Sequence, residues 1–97
     1  MAFEQHLKKV KGKNKGKVLV FALSTCQWCQ KTKRLLAELG IEYFFVDVDL
    51  QTGDAAVEVI NELDKYNPRH SFPTIVVDNN VIFGFDEDRI REVLGNG

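Results

Sequence analysis

Residues 17–23, Lys-Val-Leu-Val-Phe-Ala-Leu, form an unbroken β-prone apolar run that ends on Ser24, Thr25 and then a cysteine. A strand with one face in water alternates apolar and polar residues; a run without alternation fits a strand covered on both faces. Such a strand needs packed layers above and below it, which points to an α/β fold. The next segment, 27–39, sets Trp28, Leu35, Leu36 and Leu39 among lysines at helical spacing, with Gly40 placed to end the helix. Ser24 and Thr25 are the residue types that cap a helix start. Residues 42–48, Glu-Tyr-Phe-Phe-Val-Asp-Val, read as a second strand. A helix joining two strands makes a βαβ unit, parallel and right-handed. Tyr43, Phe44 and Phe45 of that strand read as core rather than binding surface.

The rest of the chain extends the pattern. Thr52-Gly53-Asp54 offers caps for a second helix with Ala56, Val57, Ile60, Leu63 and Tyr66 as its apolar stripe, ended by Asn67-Pro68. Thr-Ile-Val-Val after Pro73 is a third strand, Asp78-Asn79-Asn80 a turn, and Val81-Ile82-Phe83 a fourth strand, so 74–83 is expected as a hairpin. Asp86 can cap a last helix over 87–94, with Ile90, Val93 and Leu94 on one face. Phe3, Leu7 and Val10 have the spacing of a short amphipathic helix, broken by Gly12 and Gly16. The expected fold is therefore α/β. It has a four-stranded mixed sheet flanked by helices, in the order strand, helix, strand, helix, strand, strand, helix, optionally preceded by an N-terminal helix.

At 97 residues the chain suits one domain, read here as a basic N-terminal extension over 1–16 followed by the domain over 17–97. An apolar share of 44% and a charged share of 28% are those of an ordinary folded domain and set disorder aside. No stretch nears the ~20 apolar residues that span a bilayer, and the N-terminus runs into lysines rather than an apolar core, so neither membrane nor secretory signal is expected and the cytoplasm is the simplest location. The first 34 residues hold nine Lys or Arg against the single acid Glu4, while the remainder is acidic. The run Lys11-Gly12-Lys13-Asn14-Lys15-Gly16-Lys17 lacks the interleaved aromatics that stack on bases, so a solvated tail is preferred to a nucleic-acid surface.

The chemistry concentrates at Cys26 and Cys29, the chain's two cysteines, spaced C-x-x-C where the buried strand gives way to a helix. A helix start presents unsatisfied N–H groups and partial positive charge, both of which favour thiolate over thiol. Lys31, Lys33 and Arg34 can add positive charge nearby. Cys26, at the junction, is expected to be exposed and to attack a disulfide; Cys29, one turn on and more buried, to resolve the mixed disulfide. Trp28 can shield the site and offer apolar contact to substrate. Other readings stay open. A closed zinc site wants four ligands, and His6 and His70 are the only histidines that could join the pair. An iron–sulfur cluster or metal could be shared between two chains through Cys26 in a dimer. The pair could also be structural. Redox exchange is favoured because C-x-x-C after the strand of a βαβ unit is a specific context. His70 lies two residues before Phe72-Pro73's proline-led strand and could tune the thiolate, although an exposed loop histidine is the commoner outcome.

Cys26-Gln27-Trp28-Cys29-Gln30-Lys31-Thr32-Lys33, Phe72-Pro73-Thr74 and Gly84-Phe85-Asp86-Glu87-Asp88, arriving in that order, resemble the glutaredoxins over roughly residues 17–95. The resemblance implies a thioredoxin-like fold, a dithiol–disulfide oxidoreductase acting on protein or small-molecule disulfides, and a redox-active disulfide Cys26–Cys29 with no other bound cofactor or metal. It also implies that Pro73 is a cis proline facing the cysteines, with the Phe72 backbone offered to an extended substrate. Trp28, Phe72, Pro73, Gly84, Phe85 and Asp86 would then touch substrate, and Asp86 and Asp88 could hold a ligand amine or simply cap the last helix. Gln27-Trp28 between the cysteines, Leu23 before them and Gly84-Phe85 in place of two glycines depart from the glutathione-using members. The Gly-Phe pair is similar to glutaredoxin-like proteins that serve ribonucleotide reductase and draw on thioredoxin reductase. Glutathione and a thioredoxin-type or ferredoxin-linked reductase are both kept as electron donors, with disulfide-containing proteins as partners and a monomer as the expected state.

Overall fold

A computed structural model describes residues 3–94. Residues 1–2 of the expected extension and 95–97 of the expected domain lie outside the described residues.

Strand β1 spans Lys8–Val10, β2 Val18–Ala22, β3 Tyr43–Asp47, β4 Thr74–Val77 and β5 Asn80–Phe83; helix α1 spans Gln27–Glu38, α2 Gly53–Tyr66 and α3 Glu87–Leu94. One mixed sheet runs β1-β3-β2-β4-β5. β2 lies at its centre, parallel to β3 and antiparallel to β4. Every residue of β2 is buried, as the unbroken apolar run requires. Its side chains divide by the period of two: Val18, Val20 and Ala22 join α1 and α3 in one core layer with Cys29, Leu36, Ile75 and Ile90. Leu19 and Phe21 join α2 in the other with Val46, Val59, Leu63 and Val76. Helices thus cover both faces, and the layered α/β expectation stands.

The strand count is corrected from four to five, and the expected N-terminal helix over 3–10 is corrected to a 3-10 turn, Phe3–His6, followed by β1. β1 runs antiparallel to β3, with Lys8 opposite Phe45 and Val10 opposite Tyr43. The helical spacing of Phe3, Leu7 and Val10 is satisfied another way. Phe3 stacks on Phe21 at 5.9 Å and Leu7 packs in the α2 layer, while Val10 crosses to the other layer. A helix there would leave the edge of β3 with unpaired backbone groups, which β1 fills.

Smaller corrections concern phase and caps. α2 buries Val59 and Leu63 rather than the whole expected stripe, and Val57 faces outward at 58% exposure. Two overlapping apolar sets on one helix left its phase ambiguous. α1 is capped by Cys26 itself, not by Ser24 or Thr25. Ser24 instead binds the Asp49 carboxylate through its backbone N–H at 2.9 Å and its hydroxyl at 2.5 Å. Gly40, with φ +70°, follows the α1 C-cap Leu39 as expected.

Candidate active site

The site forms where the carboxyl end of β2 meets the amino end of α1. Cys26 has extended backbone (φ −84°, ψ 115°) and its Sγ accepts from the Cys29 N–H at 3.1 Å. That bond gives the helix-start Cys29 N–H an acceptor it would otherwise lack, and places the sulfur where the helix's positive end acts on it. Cys26 is partly exposed and Cys29 is fully buried; both are free thiols. Burial, and then a hydrogen bond with Cys26, push the Cys29 thiol up to about 12. Lys33 opposes this: its charge lowers the Cys29 value. Its ammonium lies 4.0 Å over the Phe45 ring and 3.5 Å from Asp47, held largely out of solvent. Of the three cations expected near the thiols, Lys33 is the one set against the pair, while Lys31 lies over the Trp28 ring at 4.4 Å.

The Phe72–Pro73 peptide is cis, and Pro73 is buried. The Pro73 carbonyl accepts the Gly84 N–H at 2.8 Å, which ties the turn to the segment leading into α3. Among the described residues the Phe72 backbone makes no hydrogen bond. Gly84 has φ +77°, a conformation that costs little only for glycine, and it turns the chain so that Phe85 stacks on Trp28 at 5.8 Å. Trp28 remains 55% exposed despite that contact. Cys26, Trp28 and Phe85 therefore form one surface. Asp86 caps α3, its Oδ1 accepting from the Arg89 N–H at 3.1 Å. Asp88 is exposed in the first turn of the same helix.

His70 is turned away to the Asp64 carboxylate on α2. Tyr43 is buried, and Phe44 and Phe45 pack against opposite core layers, as core residues should.

One positioning residue was missed in the sequence. Asn67, read only as the end of a helix, is buried and donates to Ser71 Oγ at 2.8 Å and Thr74 Oγ1 at 2.9 Å, and its own Oδ1 accepts from the Arg69 N–H at 3.1 Å. Thr74 Oγ1 in turn donates to the Ser71 carbonyl at 2.7 Å. This network brackets Phe72 and Pro73 on both sides. The signal was present as three small polar residues crowded around a proline that starts a buried strand.

A model of the family described as Glutaredoxin matches residues 18–82. The chain belongs to the glutaredoxin family. A glutaredoxin-like 8.6 kDa protein of the rubredoxin operon of Clostridium pasteurianum is 31% identical over 77 residues, 79% of this chain and 96% of that one. The crystal structure of the glutaredoxin from Methanosarcina mazei Go1 superposes with a TM-score of 0.83 at 44% identity, covering 93% of this chain and 88% of that one. Methanosarcina acetivorans methanoredoxin gives 0.81, also at 44% identity, over 87% and 90% of the two chains. The fold is thus thioredoxin-like, as glutaredoxins are, with the sheet extended to five strands by β1. Glutaredoxins as a family are thiol–disulfide oxidoreductases that take electrons from glutathione or from reductases. No helix among the described residues is long and apolar enough to cross a membrane.

Proposed function

We propose that this glutaredoxin reduces disulfides of proteins or small molecules through a Cys26/Cys29 couple. The observation that carries the reading is the asymmetry of the pair: one sulfur partly exposed at a helix start and hydrogen-bonded there, the other buried and held protonated beneath it.

Cys26, as thiolate, attacks one sulfur of the substrate disulfide. The substrate S–S bond breaks, a mixed disulfide forms, and the departing thiolate takes a proton from water. Cys29 keeps its proton during this step. Once Cys26 is bonded to substrate its negative charge is gone, and two of the causes that raise the Cys29 value, the hydrogen bond with Cys26 and its charge, disappear. Cys29 then gives up its proton, attacks Cys26 and releases the second substrate thiol. The substrate has gained two electrons and the protein holds the Cys26–Cys29 disulfide. Glutathione or a thioredoxin-type reductase restores the dithiol. The unpaired Phe72 backbone beside cis Pro73 suits an extended substrate segment, with Gly84 tied to the Pro73 carbonyl next to it and Trp28 and Phe85 giving apolar contact. Asp86, committed to the α3 cap, contributes its remaining carboxylate oxygen at most. The chemistry suits a reducing compartment such as the cytoplasm, and a monomer suffices for every step.

Disulfide reductase activity, assayed with glutathione and with a thioredoxin-type reductase in turn, tests this. Cys26→Ser abolishes turnover with either donor, and Cys29→Ser accumulates a mixed disulfide on Cys26. Activity surviving in Cys26→Ser overturns the reading.

A further inference from the structure

A groove of about 360 Å³ lies between α1 and α3. Lys31, Arg34 and Glu38 line it from one side, and Phe85, Glu87 and Arg91 from the other. Its inner end opens on the Trp28–Phe85 stack, since Phe85 belongs to both. Positions 28, 31, 34 and 38 recur at helical spacing, so one face of α1 runs from the active site along the groove.

The charges in this groove are unevenly matched. Arg91 is held by two carboxylates, Glu87 at 2.8 Å and Glu38 at 3.0 Å. The neighbouring Arg89 pairs with Glu92 at 3.0 Å. Lys31 and Arg34 are exposed, and neither has a carboxylate partner among the described residues. The Glu38–Arg91–Glu87 cluster is therefore acidic on balance, and Lys31 and Arg34 on α1 stand as two uncompensated cations.

Resting on the proposed reductase reading, we propose that the protein's substrates are disulfides flanked by acidic peptide, which docks between α1 and α3 on Lys31 and Arg34. The spacing fixes the register. A helix rises ~1.5 Å per residue, so Lys31 lies about 7–8 Å and Arg34 about 12 Å along α1 from Cys26. An extended peptide advances ~3.3 Å per residue, so the matching carboxylates stand two and four residues from the attacked cysteine. The residue between the attacked cysteine and the first of these carboxylates meets the Trp28–Phe85 surface, since Trp28 precedes Lys31 along α1. Basic peptides are repelled by the same cations, so the groove selects as well as attracts.

Short peptide disulfides test this, with Asp at the second and fourth positions from the cysteine, on its N-terminal or its C-terminal side, each compared with a Lys counterpart. Each kcat/KM is divided by that for a small neutral disulfide, which cancels any change in Cys26 reactivity. At low salt one of the two acidic peptides is reduced about tenfold better than its Lys counterpart, as two exposed charge pairs allow. That preference fades toward unity at 1 M salt, where screening acts within ~3 Å. Lys31→Glu with Arg34→Glu abolishes or reverses it, and Lys31→Gln with Arg34→Gln weakens it, with the far-UV spectrum of both variants unchanged. Equal handling of acidic and basic peptides, or a preference that survives both double variants, overturns the docking proposal while leaving the reductase reading intact. Failure to reduce even the neutral disulfide overturns both.

Discussion

Replacing Cys26 by serine leaves Cys29 alone beneath the helix start, and its reactivity then reports burial directly. In the dithiol protein Cys29 is raised from 9.0 to about 12. At pH 8 a thiol at 9 is about one-tenth thiolate and one at 12 about one part in ten thousand, a difference of roughly 10³, or ~4 kcal/mol. Since the thiolate is the nucleophile, alkylation slows in proportion. The serine variant loses the Cys26 contributions but keeps burial, the largest cause, so the expected slowing is about 10²–10³ relative to an unfolded cysteine peptide. Iodoacetamide labelling read by intact mass across pH 7–11 measures it, with the urea-unfolded variant as the fully reactive control. The rate should climb tenfold per pH unit without a plateau at 9. Labelling of folded Cys26→Ser at the rate of the unfolded control would refute both the burial argument and the resolving role built on it.

Three further outcomes follow from the same geometry. Asn67→Ala strips partners from Thr74 and the Arg69 N–H beside Pro73; it should cost about 2–3 kcal/mol in urea unfolding and lower kcat/KM, and a change under 0.5 kcal/mol would show that the network is idle. Phe3→Ala removes a half-buried ring stacked on Phe21 and should cost about 2 kcal/mol while leaving Cys26 alkylation unchanged, which unfolding and labelling on one sample will check. Because the folded Cys29 value lies above its unfolded one, the unfolded chain loses its proton first; stability is then level below about pH 9 and falls between 9 and about 12. Tyr43, raised by burial, adds to the fall in the same direction above pH 10. Cys29→Ala should flatten the part that begins near pH 9, and an identical profile in that variant would assign the loss elsewhere.

What could be read in the sequence was what local chemistry dictates. The buried strand 18–22 announced itself because covering both faces leaves no polar position, and Gly40 and Asp86 because helix ends need a left-handed residue and a side-chain acceptor. The cysteine pair was legible because C-x-x-C after such a strand has few other uses. What escaped depended on distant partners. β1 exists because β3 has an edge to fill, which no spacing within 3–10 records. Cys26 displaced Ser24 as the α1 cap because Asp49, 25 residues away, holds Ser24. The sequence offered Lys31, Lys33 and Arg34 as equivalent charges; only packing against Phe45 and Asp47 separates Lys33 from the two that face the groove.

The central claim, a reversible Cys26–Cys29 dithiol–disulfide couple, is tested most directly by equilibrium redox titration read by the fluorescence of Trp28, the single tryptophan, which lies between the two cysteines. The account predicts one two-electron transition between about −270 and −200 mV, the span of thioredoxins and glutaredoxins, whose oxidised end state adds no mass to the protein, whereas Cys29→Ser ends as a mixed disulfide on Cys26. No transition in the unsubstituted protein, or a mixed disulfide as its oxidised end state by intact mass, would contradict it.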